Sequence, residues 1–194
     1  MNRLFFYVTG LLFAAIVFTG CNKNDDENGS GVNVSDVYVA GSEGKVARLW
    51  KNGVAQHLAV KSASESLAYS VYVSGRDVYV AGYKYNAAAL WKNGEVQYLS
   101  NGTESAIACS IYVSGNDVYV AGQHRMIPTL WKNGVPQYLT DGTKRGCANS
   151  VYVSRQDVYV VIGEEGVAKL WKNGVLQNLS NETDDAGVMS VFVK

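Results

Sequence analysis

The sequence predicts an all-β protein: a four-bladed β-propeller made of four repeats of about 40 residues and closed by the C-terminal strand. Three observations support this fold. The motif LWKNG recurs at Leu49, Leu90, Leu130 and Leu170, so successive copies begin 41, 40 and 40 residues apart. Each copy contains four short stretches with strand-like alternation, and no helical period competes with them. The C-terminal residues repeat the first of those stretches.

The LWKNG motif predicts a β-hairpin. Asn-Gly between strand residues is the strongest short hairpin signal, because both positions of a type I′ turn take positive φ. In the second copy, Asn93-Gly94 joins residues 88–92 to residues 95–99. This register places Trp91 opposite Val96. A Trp that is identical in every repeat favours packing between repeats over a ring of stacking platforms for a ligand.

A second hairpin is predicted by SIYVS and DVYVA, residues 110–114 and 117–121. Gly115-Asn116 between them is a Gly-first pair, which suits a type II′ turn. The turn pairs Val113 with Val118, so the valines share one face of the sheet and the tyrosines share the other. Both faces then carry apolar side chains, and we expect both to be covered.

The two ends of the repeat region predict that the ring closes. Residues 35–38 enter a repeat at its second strand, whereas residues 190–193 (SVFV) supply a first strand. The C-terminal strand can therefore complete the blade that begins near Asp36, which gives four blades. The alternatives are an open array, or half of an eight-bladed ring formed by two chains as a homodimer. Residues 32–34 could compete for the same edge.

The N-terminal residues predict export and lipid anchoring. Arg3 and the apolar run from Leu4 to Phe18 fit a signal peptide at residues 1–20. The sequence FTGC ending at Cys21 resembles the lipobox of bacterial lipoproteins, whose Cys carries the lipid. Residues 21–31 are polar and acidic, which predicts a flexible tether before a propeller domain at residues 32–194. An uncleaved membrane anchor is the alternative.

The repeats carry a family resemblance. The units DVYVAG, LWKNG and SVYVSG resemble those of secreted and lipid-anchored bacterial β-propeller proteins, many of unknown function. The resemblance spans Asp36 to Lys194 and implies a fold, not an activity, because propellers include binding modules, scaffolds and enzymes. Together with Cys21 it implies attachment to the outer membrane through the lipid alone. Asp25-Asp26-Glu27 resembles a surface-export signal or is a solvated linker, so the periplasmic and surface sides stay open.

Charge and motifs argue against two function classes. The chain has 17 basic and 17 acidic residues and no long run of one sign, so the sequence predicts no nucleic-acid partner. It has two His and no HExxH, GxSxG, P-loop or paired-Cys metal motif, so we expect no enzyme, no cofactor and no metal site. Carboxylate pairs brought together from separate blades are the remaining route to catalysis.

The loops in which the repeats differ predict the functional face. The turns inside WKNG and between first and second strands are nearly uniform, whereas the second-to-third turns and the links between repeats vary. Variable loops on a rigid scaffold usually hold binding sites, so we expect a glycan or protein ligand there. A structural or assembly role without a small-molecule ligand is the alternative. The predicted ligand-binding residues are Tyr83, Lys84, Tyr85, His124, Arg125, Glu164 and Glu165.

Cys109 and Cys147 stand at different offsets in their repeats, one and three residues before the repeated Ser. A disulfide needs close Cβ atoms, which two non-equivalent positions on neighbouring blades do not guarantee. The sequence therefore favours two free thiols.

Overall fold

The computed structural model describes residues 35–58, 65–183 and 185–194. The residues from Ser35 to Lys194 form one compact unit. Within the described ranges there are fifteen β-strands and no helix. None of the described residues therefore lies in a helix long and apolar enough to cross a membrane. The predicted signal peptide, the lipidation site at Cys21, the tether and residues 32–34 lie outside the described residues.

The strands form four separate antiparallel sheets, each built from strands that are consecutive in the chain. The first sheet has three strands, β1 (Tyr38–Glu43), β2 (Val46–Lys51) and β3 (Val54–His57). The second sheet contains β4 (Ser66–Ser74), β5 (Asp77–Lys84), β6 (Ala87–Lys92) and β7 (Glu95–Tyr98). The third contains β8 (Ala106–Ser114), β9 (Asp117–His124), β10 (Ile127–Lys132) and β11 (Val135–Tyr138). The fourth contains β12 (Gly146–Ser154), β13 (Asp157–Glu164), β14 (Val167–Lys172) and β15 (Val175–Asn178).

Both predicted hairpin registers are confirmed. Trp91 pairs with Val96 across the Asn-Gly turn, whose two residues have φ of 52° and 87°. Val113 pairs with Val118, and Gly115 has a φ of 58°, as the first position of a type II′ turn requires. The local turn chemistry thus determines the register of each hairpin.

The core lies between successive sheets. Each interface is a buried cluster that contains a Leu of the earlier sheet and the Trp of the later one: Leu58 with Trp91, Leu99 with Trp131, and Leu139 with Trp171. The packing role predicted for the repeated Trp is confirmed, because these side chains are covered by the neighbouring sheet. Each sheet is stabilised mainly by its neighbours, as in other repeat proteins.

The predicted four-bladed β-propeller, closed by the C-terminal strand, is wrong. Among the residues that the structure describes, the four sheets remain separate, the first has three strands, and residues 190–193 pair with no strand. These residues lie beside β12 instead. Val191 N–H donates a hydrogen bond to Ser150 Oγ (3.3 Å), and the ring centroids of Phe192 and Tyr152 are 5.1 Å apart.

The stacking of the sheets explains this outcome. One backbone-to-serine hydrogen bond recurs along the chain, from Ile111 to Ser70, from Val151 to Ser110 and from Val191 to Ser150, at 3.3, 3.2 and 3.3 Å. The C-terminal residues therefore stand where a further first strand would follow the fourth sheet. The repeats determine this nearest-neighbour contact. Closure depends on the rotation between sheets, which turn and alternation patterns do not encode.

Candidate functional site

One end of the sheets, which we call the uniform end, carries the Asn-Gly turns and the first-to-second turns. Asn93 Oδ1 accepts a hydrogen bond from Val78 N–H (2.9 Å), and its Nδ2 donates to Asp77 Oδ1 (2.8 Å). Lys92 Nζ lies 2.8 Å from Asp77 Oδ2 and 5.3 Å from the centroid of the Tyr79 ring. Equivalent networks form at Asp36, Asp117 and Asp157. A network repeated in every sheet indicates a structural role for this end.

The opposite end, which we call the variable end, carries the second-to-third turns and the described parts of the links between sheets. Backbone hydrogen bonds join these loops. Ala106 N–H donates to the Asn86 carbonyl (2.8 Å), and Arg125 N–H donates to the Ser105 carbonyl (2.9 Å). The prediction that the diverse loops gather at one end is confirmed for the described residues.

An open cleft of ≈ 530 Å³ lies at the variable end, between the second sheet and the start of the third; we call it the tyrosine cleft. Its lining residues are Glu65, Tyr69, Tyr83, Tyr85, Asn86, Gly102, Ser105, Ala106 and Ile107. The rings of Tyr69 and Tyr83 have centroids 6.2 Å apart and an interplanar angle of 33°. Three tyrosines at these positions occur in the second sheet alone, because the third has Cys109, Gln123 and Arg125 there.

Tyr69 is a cleft residue that the sequence pattern did not reveal. The pairing of β4 with β5 shifts between Ala68 and Ser70, so Tyr69 is the extra residue of a β-bulge and is left out of the ladder. The bulge is tight, since a Cβ on Gly82 would lie 1.9 Å from the Leu67 carbonyl oxygen. A signal was present: this position holds Tyr, Cys, Asn and Met in successive repeats, within a strand that otherwise repeats closely.

The hydroxyls of Tyr69 and Tyr83 keep their protons at neutral pH. Burial raises the pKa of Tyr69 and of Tyr83, and the negative charge of Glu65 acts in the same direction on both. Each hydroxyl can therefore donate and accept a hydrogen bond. With the Glu65 carboxylate and the Asn86 amide, the cleft combines aromatic faces and polar groups, as sites for small polar ligands do.

Tyr85 extends the cleft. Its φ of 58° is in the left-handed region that favours glycine, and its side chain is half exposed. Lys84 Nζ lies 5.3 Å from the centroid of the Tyr85 ring. A neighbouring hollow of ≈ 260 Å³ shares Tyr85 and Gly102 with the tyrosine cleft and reaches Tyr98. A ligand longer than one ring can contact both.

The two predicted basic residues of the third sheet already have partners. Arg125 forms an ion pair with Glu104, whose carboxylate also lies 3.7 Å from His124 Nε2. His124 stacks on Tyr138 with centroids 6.1 Å apart, and its Nδ1 lies 3.1 Å from the Tyr138 hydroxyl. These two side chains do not line the tyrosine cleft.

The predicted acidic residues lie apart from the cleft as well. Glu164 is buried and forms an ion pair with Lys169, while Glu165 Oε1 accepts a hydrogen bond from Arg145 N–H (3.2 Å). Glu164 Oε1 is buried without a hydrogen-bond partner among the described residues, at a second cleft that Lys169 also lines. The basic-aromatic and acidic groups are therefore not assembled around one ligand position.

Cys109 and Cys147 are closer than their sequence offsets suggest. Their Sγ atoms are 3.3 Å apart, and both thiols are free. The hydrogen bond between the two thiols lowers the pKa of Cys109. The same contact and burial raise the pKa of Cys147.

The described residues contain no group of three or more His, Cys, Asp or Glu side chains that could hold a metal ion. Asp184, which adjoins Asp185 in the last link, lies outside the described residues.

These features define an all-β repeat protein whose sheets stack in chain order, with a tyrosine-lined cleft at one end. No family model matches the chain, and no curated protein matches it. Among solved structures, it is similar to the computationally designed Ika8 protein, with 20% identity and a TM-score of 0.49. That match covers 82% of this chain and 51% of the designed chain, so this chain spans about half the length of the designed protein.

Proposed function

We propose that this protein is a binding module that holds a glycan in the tyrosine cleft. The observation that carries the proposal is the group of Tyr69, Tyr83 and Tyr85 around one open cleft. Sugar rings present C–H faces that pack on aromatic side chains, and their hydroxyls need hydrogen-bond partners such as Glu65 and Asn86.

The backbone at Tyr85 also supports a ligand site. A Tyr at positive φ costs free energy that a Gly or Asn at the same position would avoid. Strain of this kind persists mostly where a side chain serves function. A paired turn of the same kind at the uniform end uses Asn-Gly instead.

The test is a glycan array followed by calorimetry with the full chain in detergent. We expect Tyr69→Ala and Tyr83→Ala to weaken binding of a selected glycan roughly tenfold each, since a buried aromatic contact contributes about that much. Tyr138→Ala is the matched control, because Tyr138 is similarly exposed and lies outside the cleft. Equal weakening by all three variants would rule out the cleft as the site.

We also propose that the module is exported and held at the bacterial outer membrane by a lipid on Cys21. The apolar leader and the FTGC sequence support this proposal. Radiolabelled fatty acid should label the wild-type chain and not Cys21→Ser. Protease treatment of intact cells then separates the surface from the periplasmic side, and labelling of Cys21→Ser at the wild-type level would contradict anchoring at this residue.

A further inference from the structure

The first sheet exposes the edge of β1, whereas in each of the other sheets the equivalent strand is covered by that sheet's own first strand. In the second sheet, β5 lies between β4 and β6, and β9 and β13 are flanked in the same way. Among the described strands, β1 pairs with β2 alone. Val39 on β1 is 51% exposed, whereas its equivalents Val80, Val120 and Val160 are exposed by 1% or less. An edge of this kind readily accepts a further strand.

The C-terminal residues have the sequence that such an edge accepts elsewhere. Residues 190–193 read SVFV, and the strands that cover the equivalent edges read SVYV, SIYV and SVYV. Residues 190–193 contact β12 through the side chains of Ser150 and Tyr152, but no backbone-to-backbone hydrogen bond joins them to a described strand. Phe192 is 75% exposed. Within the described part of the chain, a strand-like segment therefore has no sheet, and the first sheet has one strand fewer than the other three.

The outer faces of the first and fourth sheets carry the two halves of the Leu–Trp contact that joins the other sheets. At each internal interface a Leu of the earlier sheet meets a Trp of the later one. Leu179, the equivalent Leu of the fourth sheet, is 51% exposed, whereas Leu99 is 7% exposed. Trp50 of the first sheet is half-buried, whereas Trp91 is fully buried.

We propose that a second copy of this chain fills both places: residues 190–193 of one molecule add to β1 of the other as its fourth, antiparallel strand. The register follows from the pairing of β4 with β5 and sets Ser190 opposite Ala40, Val191 opposite Val39, Phe192 opposite Tyr38 and Val193 opposite Val37. The fourth sheet of one molecule then packs on the first sheet of the other, which brings Leu179 against Trp50.

A second copy is favoured over other occupants because the contact repeats one already present. The three internal interfaces join a first strand, a Leu and a Trp in this arrangement, so the new contact continues that series across two molecules. Two molecules related by a two-fold axis can exchange their segments and cover both edges at once. An unrelated peptide would satisfy the backbone of β1 and leave Leu179 exposed.

Site-directed cross-linking tests the register. Two preparations of the full chain in detergent, with Cys21, Cys109 and Cys147 replaced by Ser, carry Val37→Cys and Val193→Cys respectively. After mixing and mild oxidation we expect a disulfide-linked dimer that contains one chain of each kind. Val37→Cys mixed with Ser190→Cys is the control, because the two sulfurs would be about 10 Å out of register. Equal cross-linking of both pairs would overturn the register.

Light scattering of the full chain tests the assembly itself. We expect twice the chain mass at micromolar concentration, and at least a tenfold weaker association for Val39→Lys. Val54→Lys on β3 is the matched control, because Val54 is exposed on the far strand of the same sheet. A monomer at every concentration overturns the proposal. A Val37→Cys, Val193→Cys double variant that links only within one chain does so as well.

Discussion

The uniform and variable ends of the sheets use the same backbone turn with different residues. Asn93 and Gly94 at the uniform end have φ of 52° and 87°, while Tyr85 and Asn86 at the variable end have φ of 58° and 57°. In the Asn-Gly turns the residues suit the conformation, and the Asn93 side chain also accepts a hydrogen bond from Val78 N–H of β5. In the turns of the variable end, several residues other than Gly and Asn take positive φ, a conformation that their side chains disfavour.

The difference shows how stability and function are separated along each sheet. Asn-Gly with its Asp, Lys and Tyr partners stabilises the hairpins in all four repeats. The variable end holds Tyr85, Arg125 and Met126 at positive φ, where side chains cost free energy. The scaffold tolerates this cost because the opposite end and the sheet interfaces supply the stability.

The largest expected effect comes from fixing the variable end covalently. Cys109 and Cys147 both lie near the variable ends of neighbouring first strands, and their sulfurs are 3.3 Å apart. Oxidation should therefore tie the third sheet directly to the fourth, because Cys109 is on β8 and Cys147 is on β12. It should raise the free energy of unfolding by about 4 kcal/mol, because it closes a loop in the unfolded chain.

Urea denaturation with and without a reductant measures this gain, and mass spectrometry of the linked peptides verifies the bond. Cys109→Ser is the control and should show no dependence on the reductant. A confirmed disulfide that leaves the urea midpoint unchanged would contradict the prediction.

A smaller effect is expected when the uniform end is made to resemble the variable end. Asn133→Ala removes the hydrogen bonds to Val118 N–H and Asp117 and places an Ala Cβ at positive φ. The stability should fall by about 2 kcal/mol. Asn133→Gly keeps the backbone conformation and should lose about 1 kcal/mol. Chemical denaturation of both variants separates the backbone cost from the side-chain cost, and equal losses would argue against a backbone contribution.

The reverse change tests the variable end on the same strand. Met126 has a φ of 61° and precedes β10, whereas Asn133 follows it. Met126→Gly should stabilise the protein by about 0.5 kcal/mol, because relief of the left-handed strain exceeds the added chain entropy. Thermal and urea unfolding measure this gain. If Met126→Gly and Asn133→Gly both destabilise, the two ends do not differ in the way proposed.

The sequence could predict what depends on neighbouring residues. The Asn-Gly and Gly-first turns determine the hairpin registers, and the repeated Trp indicates the contact between sheets. The rotation between sheets determines whether a ring closes, and it results from the summed packing of many side chains. Local patterns therefore predict a four-bladed ring, but the rotation between sheets, which they do not encode, leaves the four sheets separate.

The sequence predicts part of the candidate site, because residues that vary between repeats can be recognised in it, whereas their side-chain partners cannot. Tyr83 and Tyr85 vary between repeats, and they line the tyrosine cleft. Glu164 was predicted as a surface ligand residue but is buried against Lys169, five positions later. The sequence contains a signal for this ion pair: the first repeat has an acidic and a basic residue, Glu43 and Arg48, at the same spacing, and they form the same pair. Proximity of Cys109 and Cys147 depends on the bulge in β8, which alternation cannot reveal.

The smallest expected effect concerns the pH dependence of the uniform end. A hydrogen bond from Lys132, together with one from Asn133, lowers the pKa of Asp117, and the equivalent contacts lower the pKa of Asp36, Asp77 and Asp157. A depressed folded-state pKa contributes stability above the unfolded value of 3.8 and loses it as the pH falls through the lower, folded value.

Stability should therefore be flat near neutrality and decline as the pH drops below 3.8, with a shallow slope because these carboxylates are exposed. Urea denaturation at a series of pH values measures the slope. Asp117→Asn removes one of the four such carboxylates of the uniform end, and it should flatten the part of the decline that they cause by about a quarter if the four sheets contribute equally. A decline that is equally steep in Asp117→Asn would place the acid sensitivity outside the uniform end.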